Sequence, residues 1–529
     1  MKLNKFFLLV LSGFLLFTNL LADEQLTIPV KGYEIIGINP LSASETEKIL
    51  KPYTGLSLSL DDIQKAVIAL EDEYKKLGFG FYQVTLAPQT LDNDIIKLSV
   101  NALLVNKINL QISEEERAHY SKQNILSSIP ALAKGKSPNL HDVIKQVELS
   151  NLNPTKKVNV LFSVNEDTFE DIVADIRVKT DKPLKYFSWL DNTGNEETGD
   201  YRLGIGFKHH NFLDKDHELS LTYTTSPDHL KEVKQFGLNY RLPFYEYLGS
   251  LQLYSYYSDI DSGTVAGGFD VSGEGQFFGA KYEWHLPKLT NYKKYAHQFV
   301  VGVEDKLFVN NVLFEQTDVA PDIRATPLSF LYKGKWKSLF YDLDFYLQYE
   351  HNISVGQFNT DSDYNKNRAQ ASSDWDIIKM GFSSSWIKNN YRLLTQLDAQ
   401  LTDQKLISGE QFGLGGIANK LRGFDSREVN GDTGVKASFE LWFPPVFNNQ
   451  VNFLGFVDAG YTKAIEPSAD ELDNETFVSA GVGVVMNFFK HMDVSLHVAS
   501  VIDGNDYGPE DSSTQKGDIG VHGSIYFSF

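Results

Sequence analysis

The sequence contains no cysteine among its 529 residues, so disulfide bonds and thiolate chemistry are both excluded. It also lacks an excess of basic residues: 49 lysines and arginines are outnumbered by 69 acidic residues, and a formal charge of −20 argues against non-specific binding of nucleic acid. Beyond the N-terminal segment, no stretch approaches the run of about 18 apolar residues that a membrane-spanning helix requires. A disulfide scaffold, a nucleic-acid binder and a helical membrane protein are therefore disfavoured.

Motifs of the common catalytic and nucleotide sites are also missing. The chain has no Gly-x-Ser-x-Gly elbow and no His-Glu-x-x-His metal motif. Gly413-Leu-Gly-Gly lacks the Lys-Ser/Thr of a phosphate loop, and the adjacent His209 and His210 would face opposite ways on a strand. Asp361-Ser-Asp-Tyr-Asn365 begins like a calcium loop but has Lys366 where glycine is needed. We expect no enzymatic activity, cofactor, metal or nucleotide.

The N-terminus has the pattern of a secretory signal peptide. Lys2 and Lys5 form a basic start, an apolar core runs from Phe6 to Phe17, and Ala22 supplies a small residue before a cleavage point. An uncleaved anchor helix is the alternative, but the apolar run is too short to span a membrane comfortably. We interpret residues 1–22 as a signal peptide and predict that the protein is exported.

Residues 28–101 and 102–181 repeat one order of predicted elements, β-α-α-β-β, and so indicate two small α+β modules in tandem. In the first module, Ser42 and Glu45 have the spacing of a capping box, and Ser59 can cap a longer helix. Such modules offer a sheet edge to which an extended polypeptide can add a strand. The predicted elements are 33–38, 42–50, 59–77, 81–87 and 95–100, then 103–112, 120–126, 139–149, 158–164 and 170–178.

From residue 184 to 529 the dominant pattern is alternation of apolar and polar residues, which predicts β-strands with one apolar and one charged face. A soluble sandwich would bury those charges, whereas a transmembrane barrel places them in a wet lumen. The sixteen predicted strands are 185–191, 201–210, 217–226, 232–242, 249–258, 274–286, 296–309, 326–337, 338–350, 374–388, 391–402, 434–443, 451–462, 476–488, 490–501 and 518–529.

The connection between the eleventh and twelfth strands, residues 403–433, is far longer than a hairpin loop of about 2 to 5 residues. It contains Leu421-Arg-Gly-Phe424, in which the leucine, the arginine and the phenylalanine all favour burial. On the thirteenth strand, alternation turns Phe456, Asp458 and Gly460 toward the lumen. An arginine in a confined lumen needs a partner and its planar fork suits a carboxylate, so we predict that Arg422 pairs with Asp458 and fastens the loop inside.

Three motifs in this order resemble those of one family. Leu421-Arg-Gly-Phe424, Phe456-Val-Asp-Ala-Gly460 and Leu190-Asp-Asn-Thr-Gly194, the last followed by Thr198, Gly199 and Arg202, are similar to the loop tip, barrel motif and first hairpin of the two-partner secretion transporters, the haemolysin and haemagglutinin secretion proteins of the Gram-negative outer membrane. The resemblance covers nearly the whole chain, from the signal peptide through two polypeptide-transport-associated (POTRA) modules to the sixteen strands.

The resemblance implies a pore in the outer membrane with periplasmic POTRA modules, which recognises an unfolded exported partner, a large β-helical exoprotein, and secretes it. It gives Arg422 and Asp458 the paired role already inferred from their charge and facing. An outer-membrane barrel insertase of the same superfamily shares the loop motif but commonly has three to five modules, and a passive porin would need none. Many members begin with a plug helix, for which few residues precede the first module here, so we expect none.

Overall fold

The chain folds into two units in the computed structural model, which describes residues 27–90, 93–165, 171–194, 198–231, 233–259, 275–287, 294–309, 322–417, 420–469, 471–489, 491–504 and 514–529, and the backbone of 264–265, 269–270, 313–314 and 317–318. One unit comprises the described residues up to Leu110 with Ala131–Lys145 and Val160–Ile176, and the other comprises Gln111–Pro130, Gln146–Asn159 and Arg177–Phe529. The expectations of a signal peptide and of an absent plug helix concern residues outside this description.

The first module is a three-stranded sheet covered by two helices. Its middle strand, Ile95–Ala102, pairs in parallel with Gly32–Gly37 and antiparallel with Tyr82–Leu86. Helices Ala43–Leu50 and Leu60–Lys76 both begin with a capping box, formed by Ser42 with Glu45 and by Ser59 with Asp62. The core comprises Leu50, Ile63, Ala66, Leu70, Tyr74, Val84, Ile96, Leu98 and Val100.

A short antiparallel pair, Ile28–Val30 with Gly55–Leu58, was not predicted for this module. A 3₁₀ turn, Lys51–Tyr53, precedes the second of these strands. Strands of three and four residues are too short for alternation to distinguish them from irregular chain.

The second module repeats the sheet order of the first. Its strands Leu104–Gln111, Asp171–Thr180 and Lys156–Val164 lie side by side in that order, so the last strand in sequence is again the middle one. Its predicted helices are present at Lys122–Ser127 and Leu140–Ser150. A further helical turn, Glu114–Arg117, was not predicted; Ser113 and Glu116 form its capping box.

The remaining strands close into an antiparallel barrel, which confirms the predicted fold class of about sixteen strands after two α+β modules. Labelled in chain order, the barrel strands are β1 Leu184–Asp191, β2 Arg202–Phe212, β3 His217–Thr225, β4 Gln235–Phe244, β5 Gly249–Ser258, β6 Gly275–His285, β7 Tyr295–Phe308, β8 Pro327–Lys337, β9 Tyr341–Asn352, β10 Asp376–Lys388, β11 Tyr391–Leu401, β12 Thr433–Trp442, β13 Val451–Lys463, β14 Asn474–Phe488, β15 Met492–Asp503 and β16 Ile519–Ser528.

The barrel closes where β16 pairs with β1, from Ser524 opposite Asp191 to Ser528 opposite Phe187. β8 is continued by Ile323–Ala325, which also pairs with β7, and the two pieces are separated at Thr326. Because the strand number is even, both ends of the barrel chain lie on the side of the short turns, and the long loops lie on the other side.

Each barrel strand presents an apolar face outward and a mixed face inward. On β13, Phe453 and Val457 are exposed, whereas Phe456 and Asp458 are buried in the interior. An outward apolar belt with polar groups directed inward is the arrangement expected of a membrane barrel. No helix in the described part of the chain is long and apolar enough to cross a membrane.

Candidate functional site

The connection between β11 and β12, residues 402–432, is called the long loop below. It doubles back on itself as a hairpin, in which Phe412–Leu414 pairs with Val429–Gly431. The chain between these strands forms the tip. Two glycines are essential to its path: a Cβ on Gly415 (φ +105°) would lie 2.2 Å from the carbonyl oxygen of Asp425, and one on Gly423 (φ +97°) would lie 3.1 Å from Cβ of Ala499.

The tip carries Arg422 to the inner face of β13. The Nε atom of Arg422 lies 2.7 Å from Oδ2 of Asp458, and Nη2 lies 2.8 Å from Oδ1, so the guanidinium and the carboxylate meet as two parallel forks. The backbone N–H of Arg422 donates a third hydrogen bond to Oδ2, at 3.1 Å. Arg422 is 1% exposed and Asp458 0% exposed, so both charges depend on this contact for their stabilisation.

Three further groups surround the guanidinium; the sequence analysis assigned Phe456 to the site, but not Glu440 or Ser438. Nη1 of Arg422 lies 2.9 Å from a carboxylate oxygen of Glu440, and Nη2 donates to the hydroxyl of Ser438 at 3.2 Å. The guanidinium carbon lies 3.6 Å from the ring centre of Phe456, a cation–π contact. Ser438 and Glu440 alternate with apolar residues along β12, the strand that pairs with β13, and this pattern could have identified them.

The residues on either side of Arg422 seat the tip by packing and by main-chain hydrogen bonds. Leu421 and Phe424 are fully buried, and the ring of Phe424 stacks on Phe477 of β14 at 4.2 Å. The N–H of Gly423 donates to Nε2 of His522 at 2.8 Å, and the hydroxyl of Ser479 donates to the carbonyl of Arg422 at 2.5 Å. The tip is therefore held by β12, β13, β14 and β16.

Gly460 of β13 provides space beneath the tip. A Cβ at this position would lie 2.7 Å from Cδ2 of Leu414 and 3.4 Å from Cδ1 of Leu421. The structure thus brings together Leu421, Arg422, Gly423, Phe424, Phe456, Asp458 and Gly460.

The motif around Leu190-Asp-Asn-Thr-Gly194 lies elsewhere, at the seam between β1 and β16. The side chain of Asn192 accepts from the N–H of Gly523 and donates to the carbonyl of Val521, both at 2.8 Å, which extends the strand pairing. Arg202 is buried and donates to the carbonyl of Gly199 at 2.7 Å and to the hydroxyl of Thr198 at 2.6 Å. This motif therefore extends the seam of the barrel, and Arg202 binds the described residues Thr198 and Gly199 before β2.

A cavity of about 1030 Å³ lies in the lumen beside the seated tip. Its walls come from the inner faces of β1 to β5 and of β16, and include the rings of Trp189 and Tyr526. Ile417 and Ser426 of the tip also border it. The tip therefore forms part of the wall of this cavity.

A charged cluster ties the base of the long loop to two neighbouring loops; its members, Arg368, Lys405, Asp432 and Glu471, are called the loop-base clasp. Arg368 donates to both oxygens of the buried Asp432, at 2.5 and 3.1 Å, and to Glu471 at 2.6 Å. Lys405 lies 3.0 Å from the other oxygen of Glu471. Partial burial tends to raise the pKa of Glu471, but hydrogen bonds from Arg368, the Ser468 N–H and Lys405 lower it to about 2, so it is ionised at neutral pH.

The described residues contain no group of three or more His, Asp or Glu side chains that could hold a metal ion. Nδ1 of His210 lies 2.8 Å from Glu218, and Nδ1 of the neighbouring His209 accepts from the N–H of Asn211 at 3.1 Å, so each has its own partner.

Comparisons with known proteins agree with this architecture. The profile of the haemolysin secretion/activation protein family ShlB/FhaC/HecB matches residues 171–486, and that of the ShlB-type POTRA domain matches residues 28–102. The heme/hemopexin transporter protein HuxB of Haemophilus influenzae is 21% identical over 503 residues, which cover 91% of this chain and 85% of HuxB.

Two solved structures share the fold. CdiB from Escherichia coli superposes with a TM-score of 0.69 at 18% identity, covering 96% of this chain and 92% of CdiB. CdiB from Acinetobacter baumannii gives 0.66 at 17% identity, covering 95% and 90%. Since the ShlB/FhaC/HecB profile spans more than half of the chain and includes both β13 and the long loop, this protein belongs to the haemolysin secretion/activation protein family.

Proposed function

We propose that the long loop is the movable element of a polypeptide-export pore and that Arg422 fixes its resting position. The chain is an outer-membrane translocator of an exported partner, with its POTRA modules in the periplasm. The observation that carries the proposal is the buried pair of Arg422 and Asp458, which holds the tip of the long loop inside the lumen. A tip fixed by a buried ion pair can shift when that pair is released.

The passenger in this proposal is a large exoprotein with a β-helical fold, which crosses the pore unfolded and folds outside. A cavity bounded by strand faces and by the loop tip suits an extended chain better than a folded domain. The sequence has no nucleotide-binding motif, so we propose that folding on the outer side prevents return and gives the movement its direction.

The first module has a sheet edge suited to receive the passenger as an added strand. The N–H of Lys31 donates to the carbonyl of Asp94, which lies just before the middle strand. The main-chain N–H and C=O groups of Lys31 and of every second residue after it therefore point toward that strand. The main-chain groups of Gly32, Glu34 and Ile36 therefore point away from the sheet. Among the described residues, the strand Gly32–Gly37 pairs only with Ile95–Ala102, so this edge is available for main-chain recognition.

The opposite edge of the same sheet is partly covered. The outward N–H of Val84 donates to the carboxylate of Glu71 at 2.9 Å, and the N–H of Tyr82 donates to the carbonyl of Phe79 at 3.2 Å. A passenger strand added to Tyr82–Leu86 would have to displace Glu71. We therefore assign passenger recognition to the strand Gly32–Gly37.

Deletion of the gene tests the export function. Quantitative proteomics of the culture medium and the outer membrane should show the loss of one or a few large proteins from the medium, while resident outer-membrane barrels remain within twofold of wild type. A joint decrease of the resident barrels would instead support the insertase alternative. An unchanged medium with unchanged barrels would contradict export. The proteins that disappear are the passengers for the experiments below.

Glu34→Pro should weaken binding of the passenger to the full-length transporter by about tenfold or more. Proline removes the outward N–H of residue 34, and its ring obstructs an approaching strand, while edge strands tolerate proline. The measurement is the Kd of the purified transporter for the unfolded passenger identified by the deletion experiment.

Two matched variants test whether the weaker binding comes from the loss of the main-chain N–H of residue 34. Glu34→Ala removes the side chain but keeps the N–H, and Leu86→Pro places proline on the partly covered edge; both should bind within about threefold of wild type. Weakening by Leu86→Pro as strong as that by Glu34→Pro would refute the assignment to the strand Gly32–Gly37.

A further inference from the structure

The long loop makes a second buried contact, on a different part of the barrel wall from Asp458. Glu410 ends a 3₁₀ turn, Ser408–Glu410, and its two carboxylate oxygens accept hydrogen bonds from Nζ of Lys306 at 3.0 and 3.1 Å. Glu410 is 4% exposed. Lys306 lies on β7, six strands along the wall from β13. The loop therefore bridges two separate parts of the wall.

Lys306 belongs to a balanced charge network. Three lysines and three carboxylates form it, joined by ion pairs and by the longer-range attraction between Glu350 and Lys306: Lys281, Lys306, Lys379, Glu304, Glu350 and Glu410. Glu304 lies 2.8 Å from Lys281 and 3.4 Å from Lys306, and Glu350 lies 2.8 Å from Lys379. Five of the six are fixed on β6, β7, β9 and β10, and only Glu410 is on the loop. If the loop withdrew, the wall would hold three lysines and two carboxylates.

Apolar packing next to Glu410 fixes this part of the loop. Leu406 and Ile407 are buried in a cluster that includes Trp375, Tyr364 and Ile323. A Cβ on Gly409 would lie 2.3 Å from the ring of Phe308, so the chain passes directly against β7. Residues 406–410 are therefore packed against the barrel wall on the side of the long loops.

Release of the tip alone would leave residues 406–410 packed against the wall. The Arg422 contacts are made by β12, β13, β14 and β16, whereas Glu410 contacts β7. Among the ion pairs of the described residues, none joins a member of the Glu410 network to Arg422 or to its partners Asp458 and Glu440. The two anchors can therefore separate independently.

We propose that Glu410 and Lys306 form an outer gate, which must separate after or with the Arg422 pair before a polypeptide can leave the barrel. This inference rests on the proposed export function. Withdrawal of Glu410 leaves the network around Lys306 with one positive charge in excess. This charge attracts Glu410 back once the passenger has left. The gate thus closes through the same ion pair that has to be broken for opening.

Thiol crosslinking tests the gate directly, because the natural chain has no cysteine. In the variant Lys306→Cys/Glu410→Cys, a short bifunctional thiol reagent added to cells should block export at least tenfold, and the unbridged variant should export measurably. The matched control is Lys335→Cys/Asp344→Cys, an ion pair at 2.8 Å that joins β8 to β9 without involving the loop or the charge network, and it should export equally with and without the reagent. Undiminished export by the bridged Lys306–Glu410 variant would overturn the proposal.

Conductance in planar lipid bilayers gives a readout that does not depend on a passenger. Lys306→Glu and Glu410→Lys should each raise the open probability of the purified full-length protein about fivefold or more, and the double exchange should return it to within twofold of wild type. Heat-modifiable migration on gels verifies that each barrel is folded. Single variants that conduct like wild type, or a double exchange that does not restore closure, would overturn the gate. A deletion strain whose medium loses no protein would instead refute the export function, whatever the conductance.

Discussion

Arg422→Ala is expected to reduce export of the passenger about 100-fold or more, while the barrel still assembles in the outer membrane. The substitution leaves Asp458 fully buried without its guanidinium partner and removes one of the cations beside Glu440. Breaking a buried pair on one side costs about 3 to 5 kcal/mol, which lowers the equilibrium constant for seating the tip by about two to four orders of magnitude. Secretion of the passenger into the medium, normalised to the amount of folded barrel, is the measurement.

Export is expected to fail because a tip that cannot be seated again after a passage obstructs the lumen for the next one. In the seated position, Ile417 and Ser426 border the cavity formed by β1 to β5 and β16. A tip that no longer binds β12 to β14 can enter this cavity, which has a volume of about 1030 Å³, and occupy the passenger's path. The Arg422 pair thus has to re-form after every passage for the pore to be used again.

Arg427→Ala is the matched control, because it removes another arginine from the same loop. Its guanidinium donates to the main-chain carbonyls of Ser408 and Gln411, at 3.4 and 3.1 Å. We expect this variant to export within about twofold of wild type. The variant Arg422→Ala/Asp458→Ala should be more heat-stable than Arg422→Ala, because the uncompensated carboxylate is gone. Wild-type export by Arg422→Ala would contradict the role of the pair.

The barrel could be predicted from sequence because apolar and polar residues alternate along its strands over long segments. The lumen of a membrane barrel and its lipid surface impose opposite polarity on alternate residues, and this constraint marks strands as long as β14, Asn474–Phe488. The same method missed Ile28–Val30 and the turn Glu114–Arg117, which are shorter than a detectable period. It also gave no signal for the interruption of β8 at Thr326.

The candidate site divides in the same way. Asp458 could be placed in the lumen wall because its strand neighbours fix its facing, and charge then suggested Arg422 as its partner. Glu410 and Lys306 could not be paired by this argument, because many charged residues face the lumen and the choice depends on the path of the loop across it. Glu440 is an intermediate case. Alternation along β12 gives the direction of its side chain, but its distance from Arg422 depends on the register of β12 on β13.

Asp432→Ala is expected to make the outer loops about 100-fold more susceptible to protease added to intact cells. The buried carboxylate of Asp432 accepts from Arg368 and from the N–H groups of Leu406 and Ile465, at 2.9 and 2.7 Å, so it joins three loops at one point. Alanine leaves a buried guanidinium and two buried N–H groups without this partner, a cost of about 3 kcal/mol or more. Cleavage follows the population of the open form when opening is fast relative to cutting, so its rate should rise accordingly.

Glu471→Gln tests whether the partly exposed carboxylate of the loop-base clasp matters as much as the buried carboxylate of Asp432. The side chain of Glu471 is 27% exposed and contacts the same Arg368, but it joins no backbone group of the long loop. Ion pairs that water can reach contribute about 0 to 1 kcal/mol, so this variant should raise the cleavage rate less than about tenfold. If the two variants were cleaved equally fast, the charge of the clasp as a whole would matter more than the backbone contacts of Asp432. Faster cleavage of Asp432→Ala alone would assign the closure of the outer loops to the point where Asp432 meets the main chain.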